Sequence, residues 1–463
     1  MTDEMRADAH RILLAALTAL DPARLVAEAL PDLPVLAEWS PEIATVLAGS
    51  PTGSIDRRAY GATWTVAIGK AAGGMTAGAR AVFGDQLTGG IVVLPDGAPS
   101  PELPARFEVY RAAHPLPDER SLVAADAIRR LTDGVGPGDR ILVLLSGGGS
   151  ALVTDPAGDL DLAAIRATHD VLLRSGLPIQ RVNEVRRVLD RLKGGGLAVA
   201  CAPASVVGLV LSDIPGGRAE DVASGPLSPP PLSPRGVEIA LRRHRIWDRL
   251  PGPVREHLRA LRDASVPETP SVPLHVVGSG PGVIEAVRRA ALARGYGVHR
   301  LGDALEGEAR RLGRSLARAA MAAQDGMAPV PLPACLVATG EATVTVRGAG
   351  TGGPNQEVAV GAALALAGRE GIVLAALGTD GVDGPTEAAG AWADGTSAAR
   401  AAEAGVDLAD ALERNDTGRA LAAIGDRIIT GSTGTNVADL YLALVAPLPV
   451  SDTRTRTPGP SAG

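Results

Sequence analysis

A series of short, uninterrupted apolar runs, most ending in a glycine or a serine, sets the strongest limit on the fold. The runs are TWTVAIG (63–69), GGIVVL (89–94), RILVLLS (140–146), SVVGLVLS (205–212), PLHVVGS (273–279), ACLVATG (334–340) and GIVLAALG (371–378). A strand wet on one face alternates apolar and polar residues. Continuous β-branched and leucine-rich runs are strands buried on both faces, as in a parallel sheet covered by helices. Stretches of helical periodicity follow several of them, at 121–133, 161–175, 281–295, 303–324 and 356–369. The alternation predicts α/β layers with ligands at the carboxyl ends of the strands. Residues 4–30 read as one amphipathic helix, with Ile12, Leu13, Ala16, Leu17 and Leu20 at helical spacing.

The run ATVTVRG (342–348) alternates and predicts a half-exposed antiparallel strand, hence a second domain of mixed architecture. With 463 residues, two to three domains are expected at roughly 150 residues each. Of two proline-rich stretches, SPPPLSPRG (228–236) and SVPETPSVP (265–273), the second is preferred as the boundary, which divides the chain into 1–267 and 268–447. The end of the chain (448–463) has no apolar periodicity and is expected to be disordered.

Composition narrows the function classes. Aromatics are 2%, so the cores must be built from Ala, Val, Leu and Ile. Forty-five basic against 52 acidic residues gives −7, and no basic stripe is present, which disfavours nucleic acid. Cys201 and Cys335 both lie in apolar surroundings, as buried thiols in a reducing compartment would. The start MTDEMRADAH is acidic where a secretion signal would be basic, and no apolar run reaches the ~18 residues of a membrane span. A cytoplasmic location is the expectation. There is no H-E-x-x-H, no C-x-x-C and no G-x-S-x-G, which argues against zinc enzymes and α/β-hydrolases.

Several segments carry candidate chemistry. SGGGSA follows the strand 140–146. Gly147, Gly148 and Gly149 allow close backbone approach, their amides form a nest for an anion, and Ser146 and Ser150 add hydroxyls. A tight turn without a ligand is the alternative. Lys70, at the end of the first strand, suits neutralisation of a phosphate, or equally a solvated surface. Lys193 precedes three glycines, where simple helix termination would also place a basic residue. Asp213 in LSDIPGG and Asp380 and Asp383 in GTDGVDGP end buried strands. Acids facing one crevice suit a Mg²⁺–nucleotide site, although Asp-Gly is also a turn signal. GSTGTN (431–436) offers Thr433, Thr435 and Asn436 as donors on a glycine-rich turn. GAGTGG (348–353) fits G-x-G-x-x-G but follows an alternating strand with no βαβ unit, so it is not read as a dinucleotide site. His114 is read first as a loop anchor.

Taken in order, GKAAGGM (69–75), HPLPDERS (114–121), LLSGGGSALV (144–153), NEVRRVLDRLKGGGLA (183–198), LSDIPGG with VASGP (211–226), GEATVTVRGAGTGGPNQE (340–357), GTDGVDGPTEAAGA (378–391) and GSTGTNVADL (431–440) resemble the glycerate 2-kinase family. It is the type with a C-terminal MOFRL domain, some members of which carry the label hydroxypyruvate reductase. The resemblance covers roughly residues 10–445. It implies a large Rossmann-like three-layer domain, a smaller mixed α/β MOFRL-type domain, and an active site in the cleft between them. It also implies phosphorylation of D-glycerate to 2-phosphoglycerate, with ATP and Mg²⁺. Lys70 matches the family's catalytic lysine, and Asp213 and Asp380 are the acids assigned to catalysis or metal. Ser146, Gly147, Gly148, Gly149, Ser150, Lys193, Asn355, Thr433, Thr435 and Asn436 are assigned to the cofactor. The expected partner is a small hydroxy acid, with neither nucleic acid nor membrane, and a homodimer is left open.

Five positions depart from the family pattern. Pro354 stands where an arginine is usual, Leu227 where a threonine is usual, Gly217 and Arg218 where an acidic pair often follows, and Ser432 replaces a proline. Losing a bidentate cation from a phosphate-transfer cleft is not conservative. Arg347 and Arg218 are the residues that would compensate. The departures keep two alternatives in view: a family member with another hydroxy acid or weakened activity, and a nicotinamide-dependent hydroxypyruvate reductase.

Overall fold

The structure, a computed structural model, describes residues 2–33, 61–177, 179–214, 218–262 and 268–448. The expected disordered tail lies almost wholly outside these residues. The first sheet consists of β1 (Thr63–Ile68), β2 (Leu87–Pro95), β3 (Phe107–Ala112), β4 (Arg140–Ser146), β5 (Ser205–Leu211) and β6 (Leu274–Gly278). Its order is β3-β2-β1-β4-β5-β6 and every pairing is parallel. This is the doubly wound order, in which successive connections reverse direction between β1 and β4 and open a crevice at the strands' carboxyl ends. The buried faces of β1, β2, β4 and β5 explain their uninterrupted apolar sequences.

The second sheet is mixed. It contains β7 (Gly297–Glu308), β8 (Ala334–Thr343), β9 (Ile372–Gly378), β10 (Gly390–Asp394), β11 (Arg427–Ile428) and β12 (Asp439–Val445), in the order β11-β10-β9-β12-β8-β7. β12 runs antiparallel to both β8 and β9 along its whole length. Mixed architecture was expected, but from the wrong segment. Residues 344–348 form no strand, because Asn415 Oδ1 accepts the backbone N–H groups of Arg347 and Gly348 at 2.7 and 2.9 Å in place of a neighbouring strand. The antiparallel pairings come instead from β10, against β9 and β11, and from β12, whose sequence DLYLALV is an apolar run as continuous as those of the first sheet.

Two further boundaries differ. The helix expected over 303–324 begins only at Ala309, because residues up to Glu308 pair with β8. The single helix expected over 4–30 is two, Thr2–Ala19 and Pro22–Ala29. Asp21 caps the second, its carboxylate accepting from Ala23 N at 2.9 Å, and Pro22 cannot continue the first.

β6 lies beyond the division placed at 267/268 yet completes the first sheet, so sheet membership changes between Gly278 and Gly297. The seam is filled by the first helix and by helix Gly280–Leu292. Both contribute to one apolar cluster that includes Val373, Ala375, Leu377, Leu440 and Leu442 of the second sheet and Leu142, Leu144 and Leu209 of the first. Arg6 ties the N-terminus to the second sheet through the buried carboxylates of Asp394 and Asp426. Cys201 and Cys335 are buried and unpaired, as expected, and burial pushes both thiols up to about 12. Among the described residues no helix is long and apolar enough to cross a membrane.

Candidate active site

The turns after β1 and β4 are laid against each other at the point where the first sheet reverses. Gly69 has φ +129°, and a Cβ there would lie 2.2 Å from Ser146 Oγ, so only glycine permits the approach. The backbone N–H of Lys70 donates to Gly147 O at 2.9 Å, and Ser146 Oγ accepts from Ala71 N at 3.0 Å. With its backbone fixed, Lys70 sends Nζ across to Asp380 Oδ2, 2.7 Å away, just past the end of β9. One step along the first sheet, Asp213 follows β5, and Asn436 Nδ2 donates to its Oδ2 at 2.6 Å. Strand ends of both sheets therefore meet, around a cleft of about 500 Å³.

The cleft walls differ in charge. Lys70, Arg186 and the imidazole of His114 face it from the first sheet's side, together with Asp221, whose carboxylate is paired with Arg187, while Glu341, Asp380, Asp383 and Asp439 line the other, with Asp213 between. Burial pushes the carboxyls of Asp213 and Glu341 above their ordinary values. Asp383 is raised by burial too, although it accepts from Asn355 N, Gln356 N and Gln356 Nε2, each at 2.9 Å, and so caps helix Pro354–Leu366. Asp439 is raised to about 7 by burial and by the charges of Asp383, Glu341 and Asp380, against a bond from Asn355. Burial and the charges of Lys70 and Arg186 push the His114 imidazole down to about 4, so it is neutral at pH 7.

The Asp439 shift has a consequence for stability. An acid with a raised folded-state value holds a proton that the unfolded chain releases at its ordinary 3.8, so stability falls as pH rises from about 4 through 7. Asp439→Asn should therefore raise the melting temperature of ligand-free protein at pH 8 and lose that gain at pH 5. Thermal unfolding at both values checks this, and an equal difference at both would exclude the carboxylate as its cause.

Several predicted residues do face the cleft: Lys70, Gly147, Gly148, Ser150, Asp213, Asn355, Asp380 and Asn436. Others do not, for visible reasons. Ser146 is fully buried, with its hydroxyl holding the turn after β1. Gly149 is a packing glycine, since a Cβ would lie 2.7 Å from Ala223 Cβ. Lys193 is buried, pairs with Asp190 and donates to Val153 O at 2.9 Å, so it braces the chain behind the site. Thr433 donates to Thr379 O at 2.6 Å and Thr435 is buried, and both shape the turn that presents Asn436. No group of three or more acids, histidines or cysteines among the described residues is spaced to hold a metal by itself.

Neither compensating arginine faces the cleft. Arg347 is exposed and pairs with Glu413, and Arg218 is exposed and pairs with Glu220. Leu227 lies in an apolar cluster, which makes its departure a matter of packing. Sequence reasoning missed Arg186, Glu341 and Asp439 as cleft residues and put a loop anchor ahead of a ligand role for His114, which lines the cleft. Glu341 and Asp439 end or begin strands as Asp213 and Asp380 do, a signal that was available.

Comparison with known proteins agrees with this architecture. Residues 8–259 match the family described as a domain of unknown function (DUF4147), and residues 334–439 match the MOFRL family. A D-glycerate 2-kinase of Thermotoga maritima is 38% identical over 384 residues, 82% of this chain and 90% of its own length. The chain belongs to the glycerate 2-kinase family. The crystal structure of glycerate kinase from Thermotoga maritima superposes with a TM-score of 0.81 at 34% identity, covering 96% of this chain and all of that one. The reductase label recurs within the family, on an Agrobacterium vitis protein that is 38% identical over 89% of this chain and 92% of its own.

Proposed function

We propose that the protein transfers the γ-phosphoryl group of ATP to the 2-hydroxyl of D-glycerate, giving 2-phosphoglycerate and ADP. The reading is carried by the Lys70–Asp380 contact at 2.7 Å, which draws a cation and the carboxylates of both sheets to the crevice of the doubly wound sheet. The family's named glycerate kinases support it.

In this reading the substrate's 2-oxygen attacks the γ-phosphorus, the bond from that phosphorus to the bridging oxygen breaks, and ADP leaves. Such a transition state is loose, and the protein's part is positioning and charge neutralisation. Lys70 stabilises charge on the transferring group, and the amides of Gly147 and Gly148 hold phosphate oxygens. Asp213, whose carboxyl burial holds up, takes the hydroxyl proton. Mg²⁺ binds one or two carboxylates together with phosphates and waters. Asp380, with Asp213 in reach, would hold it, and the ion would neutralise phosphate charge. Purified protein with glycerate, ATP and Mg²⁺ should release ADP.

The reductase label keeps a second reading in view. The turn after β1, where a dinucleotide-binding sheet carries G-x-G-x-x-G, reads GKAAGGM instead. Oxidation of NADH by hydroxypyruvate, without any ADP from glycerate and ATP, would overturn the kinase reading.

Pro354 opens helix Pro354–Leu366 as a first-turn residue and lines the cleft without offering charge or N–H. The kinase reading therefore predicts weaker glycerate recognition than in relatives with arginine there, or another preferred hydroxy acid. Pro354→Arg should lower the glycerate KM, by up to ~10–10²-fold for one charge-assisted hydrogen bond. Steady-state kinetics at saturating MgATP decide it, and an unchanged KM in an already efficient enzyme would make the residue dispensable.

A further inference from the structure

Helix Ile179–Val188 carries two consecutive arginines whose surroundings differ sharply. The Arg187 guanidinium is engaged through Nε and Nη2. Its Nε donates to Ser224 O at 3.1 Å, and its Nη2 donates to Glu220 O at 2.8 Å and Asp221 Oδ1 at 2.6 Å. Arg186 is only 8% exposed and, among the described residues, makes no ion pair. Its Nε is buried without an acceptor, and its Nη1 reaches Asn183 Oδ1 at 3.4 Å, the long limit of a hydrogen bond. Burial lowers its guanidinium to about 10. Its charge is felt by its neighbours, since it helps to hold His114, His169 and Lys193 below their ordinary values.

A buried guanidinium without a counter-ion is costly and is retained where a ligand completes it. The side chain lines the cleft, so the missing partner is an anion that enters it. Its neighbours there are built as a unit. Asn183 Oδ1 accepts from Ser224 Oγ at 3.0 Å, and Ser224 Oγ lies 2.7 Å from Ser150 Oγ. The anion's nature follows from the segregated walls. A metal–nucleotide belongs with the carboxylates across the cleft, whereas Arg186 stands at the cationic corner. His114 feels both Lys70 and Arg186, so the two cations flank one spot. In a 2-hydroxy acid the hydroxyl and the carboxylate sit on adjacent carbons, which needs a carboxylate receptor close to the lysine that meets the transferring group.

We propose that Arg186 binds the carboxylate of the 2-hydroxy-acid substrate and sets the enzyme's preference for acids over neutral alcohols. The assignment rests on the kinase reading. A guanidinium forks two N–H groups onto a carboxylate, so lysine is a poor substitute.

The test compares wild type with Arg186→Met and Arg186→Lys, using glycerate and its neutral carboxamide as acceptors. For Arg186→Met, kcat/KM for glycerate should fall by ~10–10²-fold, as expected for a charge-assisted hydrogen bond. The value for the carboxamide and the KM for ATP should hold. Arg186→Lys should recover only part of the loss. The melting temperature of the ligand-free methionine variant should not fall, because the removed charge had no partner. A rise in the ATP KM with glycerate unaffected would assign the arginine to a nucleotide phosphate. Equal losses for both acceptors with a lowered melting temperature would make it structural, and either result overturns the proposal. If wild type yields no ADP, the kinase reading fails separately. Calorimetric titration with glycerate then still decides on Arg186, since equal binding to wild type and Arg186→Met would overturn its role.

Discussion

Lys70→Ala should lower kcat by ~10²–10³, the size of effect that follows loss of one preorganised electrostatic donor. The backbone of Lys70 is held by Gly147 O and its turn by Ser146, so removing the side chain leaves the strand end in place. Nζ meets Asp380 as a partly exposed pair, with the lysine side chain 27% and the aspartate 18% accessible. Such pairs contribute little to folding. Stability should therefore change little while the chemistry collapses. Steady-state kinetics and thermal unfolding on the same preparation separate the two. A near-normal kcat would remove Lys70 from the chemistry, and loss of folding would make it structural.

Legibility tracked the kind of contact that fixes each element. Strands β1, β2, β4 and β5 are readable because burial on both faces writes an uninterrupted apolar run. β12 carries the same signature in DLYLALV and was overlooked, whereas β3 and β7 sit at sheet edges, where half-exposure blurs the pattern. The glycine-rich turns were visible as motifs, but their division of labour was not. Ser146 and Gly149 flank cleft residues and serve packing, a difference set by which chain passes behind them. Lys193 and Arg186 show the limit most plainly. Both are basic residues of one motif. One neutralises the buried Asp190 and the other faces the cleft unpaired, and only the path of distant chain segments decides which.

Gly147→Ala should abolish most activity while leaving the fold intact. A Cβ at Gly147 would lie 1.8 Å from Asp213 Oδ2 and 2.1 Å from Asn436 Nδ2, so the Asp213–Asn436 pair cannot stay where it is. The clashing atoms are the ends of side chains, not backbone, and they can swing aside. The backbone at Gly147 is not in the left-handed region, so alanine adds no strain there. The cost therefore falls on geometry. In the kinase reading, Asp213 leaves the position proposed for meeting the substrate hydroxyl, and the methyl group covers the amides proposed to hold phosphate. A displacement on the order of 1 Å at a reacting group can cost ~10²-fold, and losing the anion-holding amides adds to it, so kcat/KM should fall by at least ~10²-fold. Gly149→Ala is the contrast. Its Cβ would lie 2.7 Å from Ala223 Cβ, an atom with no freedom to swing, so its penalty should appear in the melting temperature. Kinetics and unfolding of the two variants side by side test the distinction. Activity of Gly147→Ala within a few-fold of wild type would show that neither the Asp213–Asn436 pair nor the Gly147 amide takes part in phosphoryl transfer.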